Sequence, residues 1–185
     1  MSPHWRSAKV RRPREVIAPI VQALVEEFSD DNPGVELFVG GSWRRNASLI
    51  GDLDLLVISD YEITPSLIDP GIVLPSVVTW QRLGPRIANG DLLVPEDGLS
   101  LHIDVWQAKP ASRGAMLAFF TGPMELNVLQ RKRAKAMGMA LSQNGLADRK
   151  TGRQLDNGTE EHIYELLGWQ WLEPEERQRW ARPHP

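Results

Sequence analysis

Apolar residues at Val16, Ile17, Ile20, Val21, Leu24 and Phe28 are separated by polar and acidic ones. That helical spacing predicts an amphipathic helix starting near Pro13 with those positions on one face. "DDNPG" (30–34) then predicts a turn and "VELFVG" (35–40) a strand. A short helix is predicted from Ser42, a residue type favoured at N-caps, and a second strand in "DLDLLVIS" (52–59). Proline- and glycine-rich connections follow. "SVVTWQRL" (76–83) and "LSLHIDVWQ" (99–107) predict two more strands, with "ANGD" (88–91) as a turn between them. From Ala111 the pattern changes to helices, one to about Phe119 and another over 123–137. "ALSQNGLADRKTGRQL" (140–155) predicts a hairpin, and "TEEHIYELLGW" (159–169) a short helix capped by Thr159 and stopped at Gly168. The expected organisation is a first lobe over 1–117 and a smaller C-terminal lobe over 118–185, divided around a turn at Phe119-Phe120-Thr121-Gly122.

Composition narrows the classes. A chain of 185 residues fits one domain or two small lobes, and the absence of cysteine excludes a disulfide framework and a Cys-based zinc site. Basic residues ahead of an apolar stretch (16–25) superficially resemble a secretion signal, but Pro19 interrupts it, Glu26 and Glu27 follow, and no small-residue cleavage site appears. No apolar run is long enough to cross a bilayer, and the absence of cysteine is compatible with the intracellular, cytoplasmic location expected here. The net charge of −3 gives no hint of a polyanion partner. Its distribution says more: basic residues cluster at 6–14, Arg44-Arg45, 131–135 and 149–153, acidic ones at 26–31 and 173–176.

The informative anomaly is charge on a strand. Residues two apart on a strand share a face about 6 to 7 Å apart, so Asp52 and Asp54 point together while Leu53 and Leu55 face the core. "LHIDVW" repeats the logic, with Leu101, Ile103 and Val105 on one face and Asp104 on the other beside His102 and Trp106. If the strands are neighbours, three carboxylates converge. Aspartate is depleted in strands, which weighs against three incidental solvent-facing ones. Oxygen-only ligands suit Mg²⁺ or Mn²⁺, and three carboxylates can hold two ions about 3.5 to 4 Å apart for in-line phosphoryl transfer. Gly40-Gly41-Ser42 stands shortly upstream: glycines admit a phosphate close to backbone N–H groups, a helix beginning at Ser42 would add partial positive charge, and Arg45 can offer a forked guanidinium.

Gly41-Ser42, Arg44-Arg45 and Gly51-Asp52-Leu53-Asp54 together resemble the signature of the DNA polymerase beta-like nucleotidyltransferases. "FFTGPMELNVLQRKRAKAMGMALSQNGL" (119–146) is similar to the segment of family X polymerases in which an aromatic pair and Thr-Gly begin the nucleotide-binding lobe. "YELLGWQWLEPEER" (164–177) resembles that family's C-terminal stretch, and "RRPRE" (11–15) the entry to its palm. The resemblance covers most of the chain, from about Arg11 to Arg177.

What the resemblance implies is an α+β fold: a nucleotidyltransferase palm, with a mixed sheet and flanking helices, plus a small C-terminal α/β lobe. Asp52, Asp54 and Asp104 would be catalytic and hold two Mg²⁺, for which Mn²⁺ could substitute. Gly41, Ser42, Arg45 and Gly51 would hold the triphosphate, with Arg14 reaching its terminal phosphate. Phe119, Phe120 and Gly122 would line the sugar pocket, Asn127 would touch the incoming base, and Arg131 the template strand. Arg131, Lys132, Arg133 and Lys135 form the basic run expected to grip DNA. The implied activity is that of a minimal, monomeric, template-directed DNA polymerase, palm and C-terminal lobe only, adding deoxynucleotides to a primer 3′-hydroxyl at short gaps. A template-independent terminal transferase and a non-catalytic nucleic-acid-binding module are the alternatives, and intact Asp52, Asp54 and Asp104 weigh against the last. Two positions depart from the family pattern. His102 stands where an Arg is common two residues before the third aspartate, and Met124 where a polar base-contacting residue is common.

Overall fold

The computed structural model describes residues 10–32, 34–60, 77–84, 86–94 and 98–180. Arg6 and Lys9 of the basic N-terminus, the proline-rich connection at 61–75 and the predicted strand start at Ser76 lie outside the described residues.

Helix α1 (Arg14–Asp31) follows the two-residue strand β1 (Arg12–Pro13). Ile17, Ile20, Val21, Leu24 and Phe28 are buried, whereas Val16 is exposed. At 100° per residue Val16 sits well round the helix from the stripe centred near Ile17 and Leu24, so it leaves the predicted apolar face. Against that stripe lies a five-stranded sheet of β2 (Glu36–Val39), β4 (Asp52–Ile58), β5 (Val77–Leu83), β6 (Ile87–Val94) and β7 (Leu99–Ala108), in the order β2-β4-β7-β6-β5. The β4–β7 pair is parallel and the other pairs antiparallel, so the sheet is mixed and the fold α+β. Leu53, Leu55, Val57, Leu101, Ile103 and Val105 bury against α1 in one core cluster. Helix α2 (Gly41–Arg44) is one turn, and the short strand β3 (Leu49–Ile50) pairs with β1.

"ANGD" is not a turn. It lies inside β6, paired with β7 on one side and β5 on the other, and the connection from β5 falls at 84–86. Gly90 is there because the β5 backbone comes close at a register shift: a Cβ on Gly90 would lie 2.6 Å from the Thr79 carbonyl oxygen. Glycine read as a turn former is here a packing device.

Beyond the sheet come α3 (Arg113–Thr121), α4 (Met124–Ala136), the hairpin β8 (Met139–Ser142) and β9 (Gly145–Asp148), and α5 (Glu160–Leu166). The Phe119-to-Thr121 segment is also helical rather than a turn: α3 runs through it and ends at Gly122, whose φ of 56° is in the left-handed region. Helix α3 serves two cores. Met116, Leu117 and Phe120 pack on Leu56 and Ile58 of the sheet, while Ala115 joins Ala134, Met139, Leu146, Ile163 and Leu167 in the C-terminal cluster. Thr159 caps α5 by accepting a hydrogen bond from the His162 N–H, and Gly168 ends it with φ 67°, as the sequence predicts.

Candidate active site

The parallel register of β4 and β7 sets Asp54 directly opposite Asp104 and Asp52 opposite His102. Alternation buries Leu53 and Ile103 and turns the three aspartates to the opposite face of the sheet. Each carboxylate is half-buried and offers an oxygen within 4.8 Å of the other two. At an effective dielectric near 20, two unit charges at that separation repel by about 3 kcal/mol. A site built this way is costly until a cation shares it, and hard carboxylate oxygens are the donor chemistry of Mg²⁺ and Mn²⁺.

The loop before α2 closes one side of the triad. The Gly40 N–H donates to the Asp54 carbonyl oxygen at 2.7 Å. Gly41 has φ 55°, and a Cβ there would fall 1.8 Å from Asp54 Oδ2. Only glycine can pass this point with Asp54 in place. The Ser42 hydroxyl is buried and has no hydrogen-bond partner among the described residues, a group that suits a polar ligand oxygen. With only four residues, α2 carries little dipole, so the helix terminus expected at Ser42 contributes less than the side chains around it. Gly51 is buried immediately ahead of Asp52.

Arg45 is the cation of the site. Its Nη1 donates to the Thr121 carbonyl oxygen at 2.5 Å and its Nε to Gln178 Oε1 at 2.9 Å. Burial lowers its pKa, Asp54 and Asp52 oppose that shift, and the nearby charge of Arg11 adds to it. Arg11 thus contributes positive potential here. Arg14 packs on the α2 turn: its guanidinium lies 3.7 Å over the Trp43 ring and Nη1 donates to the Trp43 carbonyl oxygen at 2.7 Å. Burial also lowers the Arg14 pKa, with Glu175 opposing.

The sequence reading missed a buried ion cluster that ties the α2 turn to the C-terminal lobe. Arg44 Nη2 meets Glu160 Oε2 at 2.6 Å, Arg177 Nη1 meets Glu160 Oε1 at 2.9 Å, and Arg44 also donates to the Thr121 hydroxyl. Arg177 is further held by the Leu172 carbonyl oxygen and by the faces of Tyr164 and Trp171. The signal was available at Arg44 and at the Pro-x-x-Arg ending in Arg177, but Glu160 reads only as a first-turn helix acid.

The remaining predicted residues gather around α3 and α4. Phe120 meets Phe119 and Trp106 edge-on, and Phe119 and Trp106 are tilted against each other. Asn127 Nδ2 donates to the Phe119 carbonyl oxygen at 2.8 Å, and the Arg131 guanidinium lies 5.5 Å over the Phe119 ring. A Cβ on Gly122 would sit 3.7 Å from Arg45 Nη1 and 3.8 Å from Asn127 Nδ2, so this glycine lies between Arg45 and α4. Phe119, Asn127 and Arg131 line a shallow open cleft. Lys132 and Lys135 are exposed, whereas Arg133 is partly committed to the fold through its Nε donating to the Leu167 carbonyl oxygen at 3.0 Å.

Comparison with known proteins agrees with this geometry. The family model described as DNA polymerase beta palm matches residues 11–76, and that described as DNA polymerase beta thumb matches residues 116–178. DNA polymerase lambda of Rattus norvegicus is 28% identical over 195 residues, covering 94% of this chain and 34% of that protein. DNA polymerase lambda of Arabidopsis thaliana is 27% identical over 201 residues, covering 94% of this chain and 38% of that protein. The chain therefore spans little more than a third of the length of these relatives. With both models matched in chain order, and the carboxylates, the Gly-Gly-Ser turn and Arg45 brought to one place, the chain belongs to family X, the DNA polymerase beta-like nucleotidyltransferases.

Proposed function

We propose that this chain is a template-directed DNA polymerase that adds deoxynucleotides to a primer 3′-hydroxyl at short gaps. The observation that carries the reading is the convergence of Asp52, Asp54 and Asp104 from adjacent parallel strands. In the reaction the primer 3′-oxygen forms a bond to the α-phosphorus, the bond from that phosphorus to the bridging oxygen breaks, and pyrophosphate leaves. Asp104, beside the 3′-hydroxyl, stands to accept its proton. Asp52 and Asp54 would hold both ions, and Asp104 one of them; the chemistry two bound Mg²⁺ supply is neutralisation of charge on the attacking and leaving oxygens. The Ser42 hydroxyl, the loop at Gly41 and Gly51, and Arg45 would receive the triphosphate, whose charge rises as pyrophosphate departs. Arg14, packed on Trp43 of the α2 turn, would reach the terminal phosphate, and the charge of Arg11, felt at Arg45, would add to the same positive potential.

Phe119, Phe120 and Gly122 would form the sugar pocket, Asn127 would meet the base, and Arg131 would reach the template. The palm unit over 1–117 and the lobe over 118–185 remain the division we favour, with α3 shared between them. A DNA-bound monomer inside the cell is the working picture. Among the described residues no helix is long and apolar enough to cross a membrane.

The test is incorporation opposite each of the four bases in a one-nucleotide gap, with Mg²⁺ or Mn²⁺, for wild type and Asp104→Ala. Incorporation that follows the template base and disappears in the variant supports the reading. Equal extension of a lone single strand makes the chain a terminal transferase, and incorporation that survives Asp104→Ala removes the site.

A further inference from the structure

One cationic segment of the C-terminal lobe has no part in the mechanism above. Between Leu126 and Arg153 the chain carries seven Lys and Arg residues and a single carboxylate, Asp148, in a protein whose net charge is −3. Four of the seven, Arg131, Lys132, Arg133 and Lys135, lie on α4. The other three, Arg149, Lys150 and Arg153, lie in the turn after β9, where every residue over 149–153 is exposed. These three take part in none of the ion pairs found among the described residues, whereas Arg44, Arg113 and Arg177 do.

The turn continues the basic surface of α4. Strand β8 lies beside α4 on the side of Arg131, which lines one cleft with Leu141 and Ser142. Strand β9 returns in antiparallel register and sets Asp148 opposite Met139, so the turn comes back to the C-terminal end of α4. There the Arg149 N–H donates to the Gly138 carbonyl oxygen at 3.0 Å, three residues beyond Lys135. The backbone of the turn is fixed as well. Lys150 and Thr151 donate their N–H groups to Asp148 Oδ1 at 3.0 and 2.7 Å, and Gly152 donates to the Asp148 carbonyl oxygen at 2.9 Å. The one carboxylate therefore turns inward, and the three cations face solvent.

At 1.5 Å per residue, Gly138 stands about 16 Å from Asn127, which is the length of about five base pairs. We propose that the turn 149–153 is a phosphate-binding site that grips the DNA backbone roughly five base pairs from the nucleotide pocket and extends the contact made by α4. Charge selects this occupant: three cations free of internal partners, next to a helix already bearing four, match a polyanion of regular charge spacing. The inference rests on the reading of α4 as the DNA-facing helix of a polymerase.

The test is binding to DNA with a one-nucleotide gap, followed by fluorescence anisotropy over a salt series. The duplexes flanking the gap are both about ten base pairs long or both only about three, too short to reach the turn. The proteins are wild type, the triple variant Arg149→Gln/Lys150→Gln/Arg153→Gln and the pair Lys132→Gln/Lys135→Gln. Wild type should prefer the long flanks. The triple variant should lose that preference and show a slope of log affinity against log salt smaller by about 2 to 3, whereas the α4 pair should keep the preference. Melting temperature and single-turnover rate at saturating DNA should stay at wild-type values in the triple variant, because its residues are exposed and stand away from the triad.

Equal wild-type affinity for long and short flanks, or a triple variant that keeps the wild-type slope and preference, would overturn the inference and leave the functional reading standing. Wild-type protein that neither binds gapped DNA nor incorporates nucleotides would overturn both together.

Discussion

Removing the charge of Glu160 should be among the most damaging single substitutions outside the sheet. The Glu160 side chain is 3% exposed and bridges Arg177, 1% exposed, at 2.9 Å and Arg44 at 2.6 Å. Glu160→Gln preserves shape and one acceptor oxygen but leaves the Arg177 guanidinium buried against a neutral partner. Breaking a buried pair from one side costs about 3 to 5 kcal/mol, mostly the penalty of the stranded charge. In a chain of this size each kcal/mol is worth about 2 to 4 °C, so the melting temperature should fall by roughly 6 to 20 °C. Arg177→Met strands Glu160 in the same way, although Arg44 still neutralises it, and should cost somewhat less. In the double variant neither buried charge remains, and Arg44, with its side chain 23% exposed, can turn toward water. The double should therefore be less destabilised than the sum of the singles by about 2 to 3 kcal/mol. Denaturant unfolding of the four proteins measures this coupling. Additivity within about 0.5 kcal/mol, or a loss below about 1 kcal/mol for Glu160→Gln, would show that the cluster is not the desolvated ion triad described here.

Gly41→Ala should lower single-turnover incorporation by about 100-fold through displacement of Asp54, with about 1 to 2 kcal/mol lost in stability from the left-handed backbone; a near-wild-type rate would show that Asp54 need not stay where it is. Burial raises the Tyr164 pKa, with Arg177 opposing, so the neutral phenol is favoured by the fold. Its contribution is complete below the unfolded value near 10 and is lost as pH rises through the higher folded value; unfolding curves from pH 8 to 11 should steepen above about 10, and an equal slope in Tyr164→Phe would contradict this. Lys132→Gln with Lys135→Gln should reduce the slope of log affinity for gapped DNA against log salt by about 1 to 2, Arg133 being spared because it ties α4 to Leu167; an unchanged slope would place the DNA contacts elsewhere.

The elements legible in the sequence were those with a strong period or a local cap. The Ile17 to Phe28 stripe, the alternation around Asp52 and Asp104, and the Thr159 and Gly168 helix stops each depend on residues close in sequence. The alternation even gave the site, because two strands with carboxylates opposite their apolar faces need only be neighbours for the charges to meet. What was misread depends on a neighbour distant in sequence. Gly90 looks like a turn residue until the β5 backbone lies against it, and Phe119 to Thr121 look like the start of a loop until the packing of Phe119 and Phe120 on the sheet shows a continuous helix. Glu160 and Arg177 could not be paired by spacing, since the group they enclose, Arg44, comes from the other lobe.

The same distant contacts explain how the loop and α4 are coupled. Thr121 accepts from Arg44 through its hydroxyl and from Arg45 through its carbonyl oxygen, so one residue at the end of α3 fixes both arginines of the α2 turn. Arg44 continues to the Glu160 cluster in the C-terminal lobe, and Arg45 lies in the field of Asp52 and Asp54. Asn127 reaches the same helix end from α4 by donating to the Phe119 carbonyl oxygen. A shift of α4 relative to the sheet must therefore strain either the Asn127 bond or the Thr121 bonds. The end of α3 is therefore the point where a displacement of α4 would be felt at Arg44 and Arg45.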